Sequence, residues 1–189
     1  MENIDILNFS MQKTLSFVIG GKKMTEQNTI EDKLKDTLSG DLLTNALDLV
    51  DYLKKNEMSN GTEPGDTRFY YKGELMCILI FFKDENHPSG GGLMIFDCPL
   101  TEHEDFSIDK SVKEFVWDNI HNCGSCGGSC DHKERGATKV VFGKEYENLC
   151  SSEIAFFDPD AEAIVKIKKL MDLWKFKIDN IPGYSSHDR

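Results

Sequence analysis

The sequence predicts an α+β domain, in which a small and mostly antiparallel sheet carries N-terminal and C-terminal helices packed on it. In the middle of the chain, short alternating or wholly apolar segments are separated by turn residues such as Asn-Gly and Pro-Gly, a pattern typical of antiparallel strands. Towards both ends, apolar residues recur every three or four positions, as in amphipathic helices. A loop with three cysteines follows a central helix. A chain of 189 residues suits one such domain and is too short for two of ordinary size.

We expect three parts along the chain: a poorly ordered N-terminal extension at residues 1–25, a single α+β domain at residues 26–180, and a flexible tail at residues 181–189. The extension fits neither a helical nor a strand pattern, and it precedes the first helix-capping signal. The run Ile-Gly-Gly-Lys-Lys-Met at residues 19–24 fits translation of a purine-rich ribosome-binding site just before a start codon. Met24 is therefore a candidate start and residues 1–23 are candidate non-native sequence, which the nucleotides of the gene decide.

Two helices open the domain. Apolar residues share one helical face from residue 30 to residue 38, and Ser39-Gly40-Asp41 then forms a break and a new cap. Apolar residues between 42 and 53 recur at three- and four-residue steps and predict a second helix. This helix is expected to end near Asn56, since two lysines there favour the negative C-terminal end.

A hairpin follows the second helix. Its first arm is Arg68–Tyr71, its turn is Lys72-Gly73, and its second arm is Glu74–Phe82. The second arm is apolar almost throughout, which predicts a central strand covered on both faces, with Cys77 as a small buried apolar residue. A third strand is expected at residues 93–97.

The C-terminal half is predicted to alternate between helix and strand. Asp109 caps a helix in which Trp117 lies off the apolar stripe, so that it either packs at the edge of the core or contacts a ligand. Strands are expected near residues 139–142 and 153–157. The last helix begins at Asp158-Pro159, which have the residue types of a cap and a first helical position. Its lysines between residues 166 and 177 are expected to cover a solvated face.

The composition excludes several classes of function. The chain has 33 acidic and 22 basic residues and a net charge of −11, which repels nucleic-acid phosphates. No apolar run approaches the roughly 20 residues that a membrane-spanning helix needs. The first residues carry acids where a secretion signal carries Lys or Arg. We therefore expect a cytoplasmic protein without nucleic-acid or membrane partners, in which six cysteines indicate metal ligands or redox thiols rather than disulfides.

The most specific motif is Cys123-Gly-Ser-Cys126-Gly-Gly-Ser-Cys130. Its C-x₂-C spacing is that of half a structural zinc site, in which glycine allows the positive φ that turns backbone N–H groups towards the sulfurs. Cys130 is a third candidate ligand. For the fourth ligand we expect Cys150, because a strand between the two cysteines can return the chain to the same edge of the sheet. Alternatives for that position are His132, then His121, with Cys98 more distant in sequence.

Other chemistries remain open for this motif. Cys123 and Cys126 have the spacing of a redox pair, but they follow a helix C-terminus, whose dipole raises thiol pKa values instead of lowering them. The order C-x₂-C-x₃-C resembles only parts of iron–sulfur motifs. A flexible glycine loop with unrelated cysteines is the alternative without a site.

Three segments of the chain carry a family resemblance. They are the motif at residues 121–130, the run Val141-Phe-Gly-Lys-Glu-Tyr-Glu-Asn-Leu-Cys150 and the segment Asp158-Pro-Asp-Ala-Glu162. Together they resemble a family of cytoplasmic cysteine-cluster proteins from low-GC Gram-positive bacteria. The resemblance covers about residues 40–178. Members of the family are sometimes associated with AraC-type regulators that carry effector-binding domains. The resemblance therefore implies that Cys123, Cys126, Cys130 and Cys150 act together and that the protein has a sensing or ligand-binding role, while it carries over no enzymatic activity.

Three classes of function follow from these observations. The first is a binding or sensory module with a structural metal site, and with a small molecule or a protein as its partner. The second is a thiol-redox protein or sensor that uses Cys123 and Cys126. The third is a metalloenzyme, which needs an open coordination position and a nearby general base, for which Asp131, His132 or Glu134 are candidates. No catalytic fingerprint names a reaction, so an enzyme is the less expected class.

Overall fold

The computed structural model describes residues 29–63, 66–96, 108–122 and 136–180. Within these ranges the chain forms four helices and seven strands, in the order α1 (Ile30–Thr37), α2 (Gly40–Lys55), β1 (Ser59–Glu63), β2 (Asp66–Tyr71), β3 (Glu74–Lys83), β4 (Gly91–Phe96), α3 (Lys110–Asp118), β5 (Ile120–Asn122), β6 (Ala137–Val141), β7 (Lys144–Phe157) and α4 (Ala161–Asn180). All strand pairs are antiparallel. The predicted α+β class is confirmed.

The sheet runs in the order β1-β2-β3-β4-β7-β5, and β6 also pairs with β7. The predicted hairpin is confirmed, with Phe69 opposite Cys77 across β2 and β3. Its turn residues Lys72 and Gly73 have φ values of 51° and 89°. Positive φ at both central positions defines a type I′ turn, whose twist matches that of the two strands it joins.

The first helix is fixed by its own N-terminus. Thr29 accepts a hydrogen bond from the Asp32 N–H at 3.2 Å, and the Asp32 carboxylate accepts one from the Thr29 N–H at 3.1 Å. This reciprocal capping box satisfies two donors that the helix cannot satisfy internally. The buried residues of α1 and α2, among them Leu34 and Leu49, join the same hydrophobic core as the sheet.

The core lies on one face of the sheet. Phe69 on β2 and Leu79 on β3 are completely buried there, whereas Ile78 and Ile80 on the other face are only partly buried and Phe82 is 44% exposed. The prediction that β3 is covered on both faces is therefore wrong for the residues that the structure describes. The buried residues of the helices form one cluster with this face, so an all-apolar strand sequence does not by itself establish that both faces are covered.

The last helix, α4, contacts both the β2–β3 hairpin and the C-terminus of α2. Tyr71 donates a hydrogen bond to Asp179 at 3.1 Å, and Lys72 forms an ion pair with the same carboxylate. The Lys175 ammonium donates to the Asn56 carbonyl at 3.0 Å, at the C-terminus of α2. Lys177 is fully buried, and its ammonium lies 4.6 Å from the centre of the Trp174 ring. Lys175 therefore joins α4 to α2, and the prediction that the lysines of α4 cover a solvated face is wrong for Lys177, which is buried.

Candidate functional site

The predicted metal ligands fall unevenly on the described part of the chain. Cys123, Cys126 and Cys130 lie outside the described residues, as do His132 and Cys98. The backbone of Cys150 lies in β7 and is described, while its side chain is not. His121 lies in β5. The geometry of the candidate site therefore comes from the strands that carry the ends of the cysteine segment.

Both ends of that segment lie beside the same residue of β7. Asn122, the last residue of β5, is opposite Leu149, and Ala137, the first residue of β6, is opposite Leu149 from the other side. Neighbouring strands are about 4.8 Å apart, so the two anchor residues are about 10 Å apart across β7. Cys150 follows Leu149 directly, which puts its backbone beside the line joining the two anchors.

This arrangement differs from the one we expected. The sequence predicts that a strand returns the chain to the same edge, beside the cysteine segment. Instead, β5 and β6 flank β7 on its two sides, and residues 123–135 connect one flank to the other. The proximity of Cys150 to both ends therefore follows from its place on the middle strand.

The pairing of β7 is irregular on both sides of Leu149. On the β5 side, Ile120 is opposite Ile154 and Asn122 is opposite Leu149, so that residues 150–153 stand against His121 alone. On the β6 side the register also shifts, and Asn148 has a φ of 59°. Bulges of this kind re-aim side chains and are frequent next to functional sites.

A glycine is required where the chain enters β6. Gly136 has a φ of 70°, and a Cβ built on it would lie 2.3 Å from the Asn148 Oδ1 atom. Any other residue would be strained by its backbone and would displace the Asn148 side chain. Gly136 therefore fixes how the chain leaves the cysteine segment.

Helix α3 fixes the other end of the segment. The Asn119 carbonyl, just after this helix, accepts a hydrogen bond from the Ala155 N–H of β7 at 3.3 Å. The Trp117 indole Nε1–H donates to the Val141 carbonyl of β6 at 2.9 Å. Lys144 lies over the rings of Trp117 and Tyr146, with its ammonium 5.5 and 4.9 Å from their centres. Of the two interpretations of Trp117, the described contacts are those of packing at the edge of the core.

His121, an alternative ligand, has a described aromatic neighbour. Its ring centre lies 5.3 Å from that of Phe157 at an interplanar angle of 65°, an edge-to-face contact. Among the residues that the structure describes, no three His, Cys, Asp or Glu side chains form a group able to hold a metal ion. Cys77 is buried in β3, as its sequence context predicts.

A cavity of about 360 Å³ opens where β7 leads into α4. It is lined by aromatic, acidic and small residues together with one lysine, namely Phe115, Phe157, Asp158, Pro159, Asp160, Glu162, Ala163 and Lys166. Phe115 is stacked on the buried Phe156 at a centroid distance of 4.8 Å. Lys166 lies 5.3 Å from the centre of the Phe115 ring and pairs with Glu162 at 2.8 Å. Three carboxylates and one ammonium leave this cavity net negative.

The start of α4 corrects the predicted cap. The helix begins at Ala161, and Asp160 is its cap, since the Asp160 carboxylate accepts the Ala163 N–H at 2.8 Å. Asp158 precedes a proline, which disfavours the helical region, and it has a φ of 43°. The predicted start is therefore two positions too early: the cap is an aspartate, as predicted, but the first helical residue is Ala161 and not a proline.

Asp158 instead joins the β3–β4 hairpin to this corner. Its Oδ1 atom accepts the Leu93 N–H at 2.7 Å, and its Oδ2 atom lies 3.1 Å from the His87 Nε2 atom. The Ser89 N–H donates to the His87 Nδ1 atom at 3.3 Å, which leaves Nε2 as the protonated nitrogen that donates to Asp158 in the neutral imidazole. Sequence reasoning missed this pair because its members are far apart along the chain, and only the positive φ of Asp158 marks it locally.

In the part of the chain that the structure describes, the fold is an α+β arrangement with a seven-stranded antiparallel sheet. Its strand β7 is bulged and lies between β5 and β6, which hold the two ends of the cysteine segment. Comparison with protein-family models, with curated proteins and with solved structures gives no match. Within residues 29–63, 66–96, 108–122 and 136–180, no helix has both the length and the apolar character needed to cross a membrane.

Proposed function

We propose that this protein is a cytoplasmic binding or sensory module with a structural metal site at the middle of β7. Zinc is the metal that its donors favour, and Cys123, Cys126, Cys130 and Cys150 are the proposed ligands. The observation that carries the proposal is the register around Leu149, because Asn122 and Ala137 bring both ends of the cysteine segment beside the strand residue that precedes Cys150.

The chemistry of the donors supports zinc. Thiolates are the ligands of closed, four-coordinate structural zinc sites, and a C-x₂-C pair with a following glycine is the usual form of one half of such a site. A closed tetrad leaves no position for water or substrate, which supports a structural role over a catalytic one. The proposed sensing role rests on the resemblance to a family whose members are sometimes associated with AraC-type regulators.

The shape of this corner also supports a structural role for the metal. Several unusual backbone conformations surround one position of β7. They are the positive φ of Gly136, the bulge at residues 150–153 and the left-handed conformation of Asn148. Such conformations persist where surrounding interactions determine them. A metal joining the segment to β7 would supply such interactions where β5 contributes only three residues.

The first test is the metal content of protein purified without chelator or affinity metal, with reactive thiols counted in the same native sample. We expect near one zinc per chain, with the cluster thiols protected from reagent until a chelator removes the metal. Absence of metal together with two fast-reacting, reversibly oxidised thiols would overturn the proposal and favour Cys123 and Cys126 as a redox pair. Iron with visible absorbance would favour a cluster instead.

The second test separates Cys150 from the alternatives. We expect Cys150→Ser to lower the zinc affinity by about a hundredfold, the upper end of the effects seen even for outer-shell partners of metal ligands. Cys77→Ala, which removes the buried thiol of β3, is the matched control and is expected to retain the wild-type affinity. If Cys150→Ser binds zinc like the wild type, Cys150 is not a ligand, and His132→Asn and His121→Asn then identify the fourth one.

A further inference from the structure

The face of the sheet opposite the core carries a continuous apolar row. Ile80 on β3 is opposite Met94 on β4, and Met94 is opposite Phe157 on β7. Because residues paired across strands point to the same face, these three side chains stand side by side. Ile80 and Met94 are partly buried, while Phe157 is 52% exposed.

Phe82 extends this row towards the β3–β4 hairpin. It is opposite Gly92, and a Cβ built on Gly92 would lie 2.6 Å from the Cζ atom of the Phe82 ring. The ring therefore lies flat over the glycine, with 44% of the residue exposed. We call Ile78, Ile80, Phe82, Met94 and Phe157 the open apolar face. Half-exposed aromatic residues in one contiguous patch are typical of interaction sites, whereas single exposed apolar residues are not.

One end of the open apolar face adjoins the acidic cavity. Phe157 belongs to both, since it ends the apolar row and also lines the cavity together with Asp158, Asp160 and Glu162. These carboxylates already have partners within the protein: His87 and the Leu93 N–H for Asp158, the Ala163 N–H for Asp160, and Lys166 for Glu162. Lys166 is the one lysine in the lining, so the cavity keeps a net negative charge next to exposed aromatic surface.

From this juxtaposition we propose that the open apolar face binds an amphipathic peptide segment of a partner protein, with its basic residues in the acidic cavity. The sign of the charge selects this occupant. A basic segment gains from the carboxylates and from the net charge of −11, which also speeds its approach. A second copy of this chain carries the same charge of −11 and the same acidic cavity, so its approach is opposed. This proposal is independent of the proposed metal site.

The test uses a fluorescent helical peptide of about 18 residues, with leucines on one face and lysines on the other. A second peptide has glutamates in place of the lysines, and a third has alanines in place of the leucines. Fluorescence anisotropy with the full-length protein measures the three affinities. We expect the lysine peptide to bind at least about tenfold more tightly than either of the others, and its advantage over the glutamate peptide to shrink in about 0.5 M salt.

Variants locate the binding. Phe157→Ser is expected to weaken binding of the lysine peptide about tenfold or more, as for an aromatic residue at the centre of an interface, and Phe82→Ser less. Phe176→Ser on α4 is the matched control, since Phe176 has a similar exposure of 54% and does not belong to the open apolar face. Glu162→Gln is expected to weaken the lysine peptide about threefold and not to weaken the glutamate peptide, which has no lysines to pair with this carboxylate. Circular dichroism checks that each variant is folded.

Three results would overturn the proposal. The first is equal binding of the lysine and glutamate peptides, which removes the charge argument. The second is that none of the three peptides binds. The third is a dimer in sedimentation that Phe157→Ser dissociates and Phe176→Ser does not. In that last case a second copy is the occupant of the open apolar face.

Discussion

The two parts of β7 differ in what determines their conformation. The C-terminal part, residues 155–157, pairs regularly with β4, and Phe156 is buried in the core while Phe157 is 52% exposed on the open apolar face. The longer part before it, residues 144–154, shifts register twice and includes the left-handed Asn148. Regular pairing and burial fix the C-terminal part, whereas glycines, turns and side-chain contacts to α3 fix the longer part. A single strand can therefore belong to the core at one end and to the candidate site at the other.

The largest difference in stability is expected between variants of two adjacent phenylalanines at the C-terminal end of β7. Phe156 is buried and stacked on Phe115, so Phe156→Ala should lower the free energy of unfolding by about 3–5 kcal/mol. Phe157→Ala, on the open face, should cost less than about 1 kcal/mol. Urea unfolding measures both. Equal costs would mean that the open apolar face is covered in the native protein.

The next prediction compares two glycines at the two ends of β6, beside the irregular part of β7, both with positive φ. Gly136→Ala should lower the free energy of unfolding by about 2 kcal/mol or more. The added Cβ would clash with the Asn148 side chain, and the positive φ would strain the alanine backbone. Gly143→Ala, where a Cβ meets nothing within 4 Å, should cost about 1–2 kcal/mol from strain alone. Thermal unfolding separates the two. If Gly143→Ala is the more destabilising, the contact between Gly136 and Asn148 does not constrain this corner.

A smaller loss of stability is expected when the hydrogen bond between α3 and β6 is removed. Trp117→Phe keeps an aromatic ring but removes the Nε1–H that donates to the Val141 carbonyl, which should cost about 1 kcal/mol. The stability is measured by urea unfolding. A control is Tyr146→Phe, which keeps the ring under Lys144 and removes a hydroxyl that has no hydrogen-bond partner among the described residues, so it should be close to neutral. A neutral Trp117→Phe would show that packing alone holds this helix.

The smallest effect is a dependence on pH at the far side of the domain. The hydrogen bond from Lys72, followed by that from Tyr71, lowers the pKa of Asp179 below its ordinary value of 3.8. A carboxyl with a lowered folded-state pKa stabilises the fold above pH 3.8, and this contribution is lost as the pH falls through the folded-state pKa. The stability difference between the wild type and Asp179→Asn should therefore shrink below about pH 4.

Melting temperatures between about pH 6 and pH 2.5 measure that difference. Asp51→Asn is the control, because Asp51 pairs with Lys55 at 2.7 Å within one exposed helix face. Its difference from the wild type should be small throughout. A difference for Asp179→Asn that stays constant with pH would show that the carboxylate charge does not contribute.

Much of the fold could be predicted because local signals were strong. Asp109 caps α3 as predicted, and the Lys72-Gly73 turn joins β2 and β3 as predicted. The sequence missed β1, whose Asn60-Gly61 pair has the residue types of a turn, and β5, which is too short to show alternation. β1 pairs with the neighbouring β2, but its sequence Ser-Asn-Gly-Thr-Glu has no apolar residue and therefore no alternation to recognise. β5 depends on β7, which follows it only later in the chain and which no local pattern indicates.

The candidate site was predicted less completely, for a related reason. The spacing of Cys123, Cys126 and Cys130 identifies donors, but it does not identify the strand beside them. Cys150 lies on β7 because this strand is long and spans Lys144–Phe157. The sequence predicts a strand only near residues 153–157, which does not include Cys150. Bulges break the alternation by which strands are recognised, so the irregularity that marks the corner also concealed the strand.

The contacts of α4 have a consequence for synthesis on the ribosome. Tyr71 and Asp179 are separated by 108 residues, and the core residues of α4, such as Ile167 and Trp174, cover sheet residues made long before them. Until α4 emerges, a nascent chain exposes the apolar surface that this helix later buries. Such a chain is a natural client for chaperones during translation, since unburied apolar surface and unpaired strands favour aggregation.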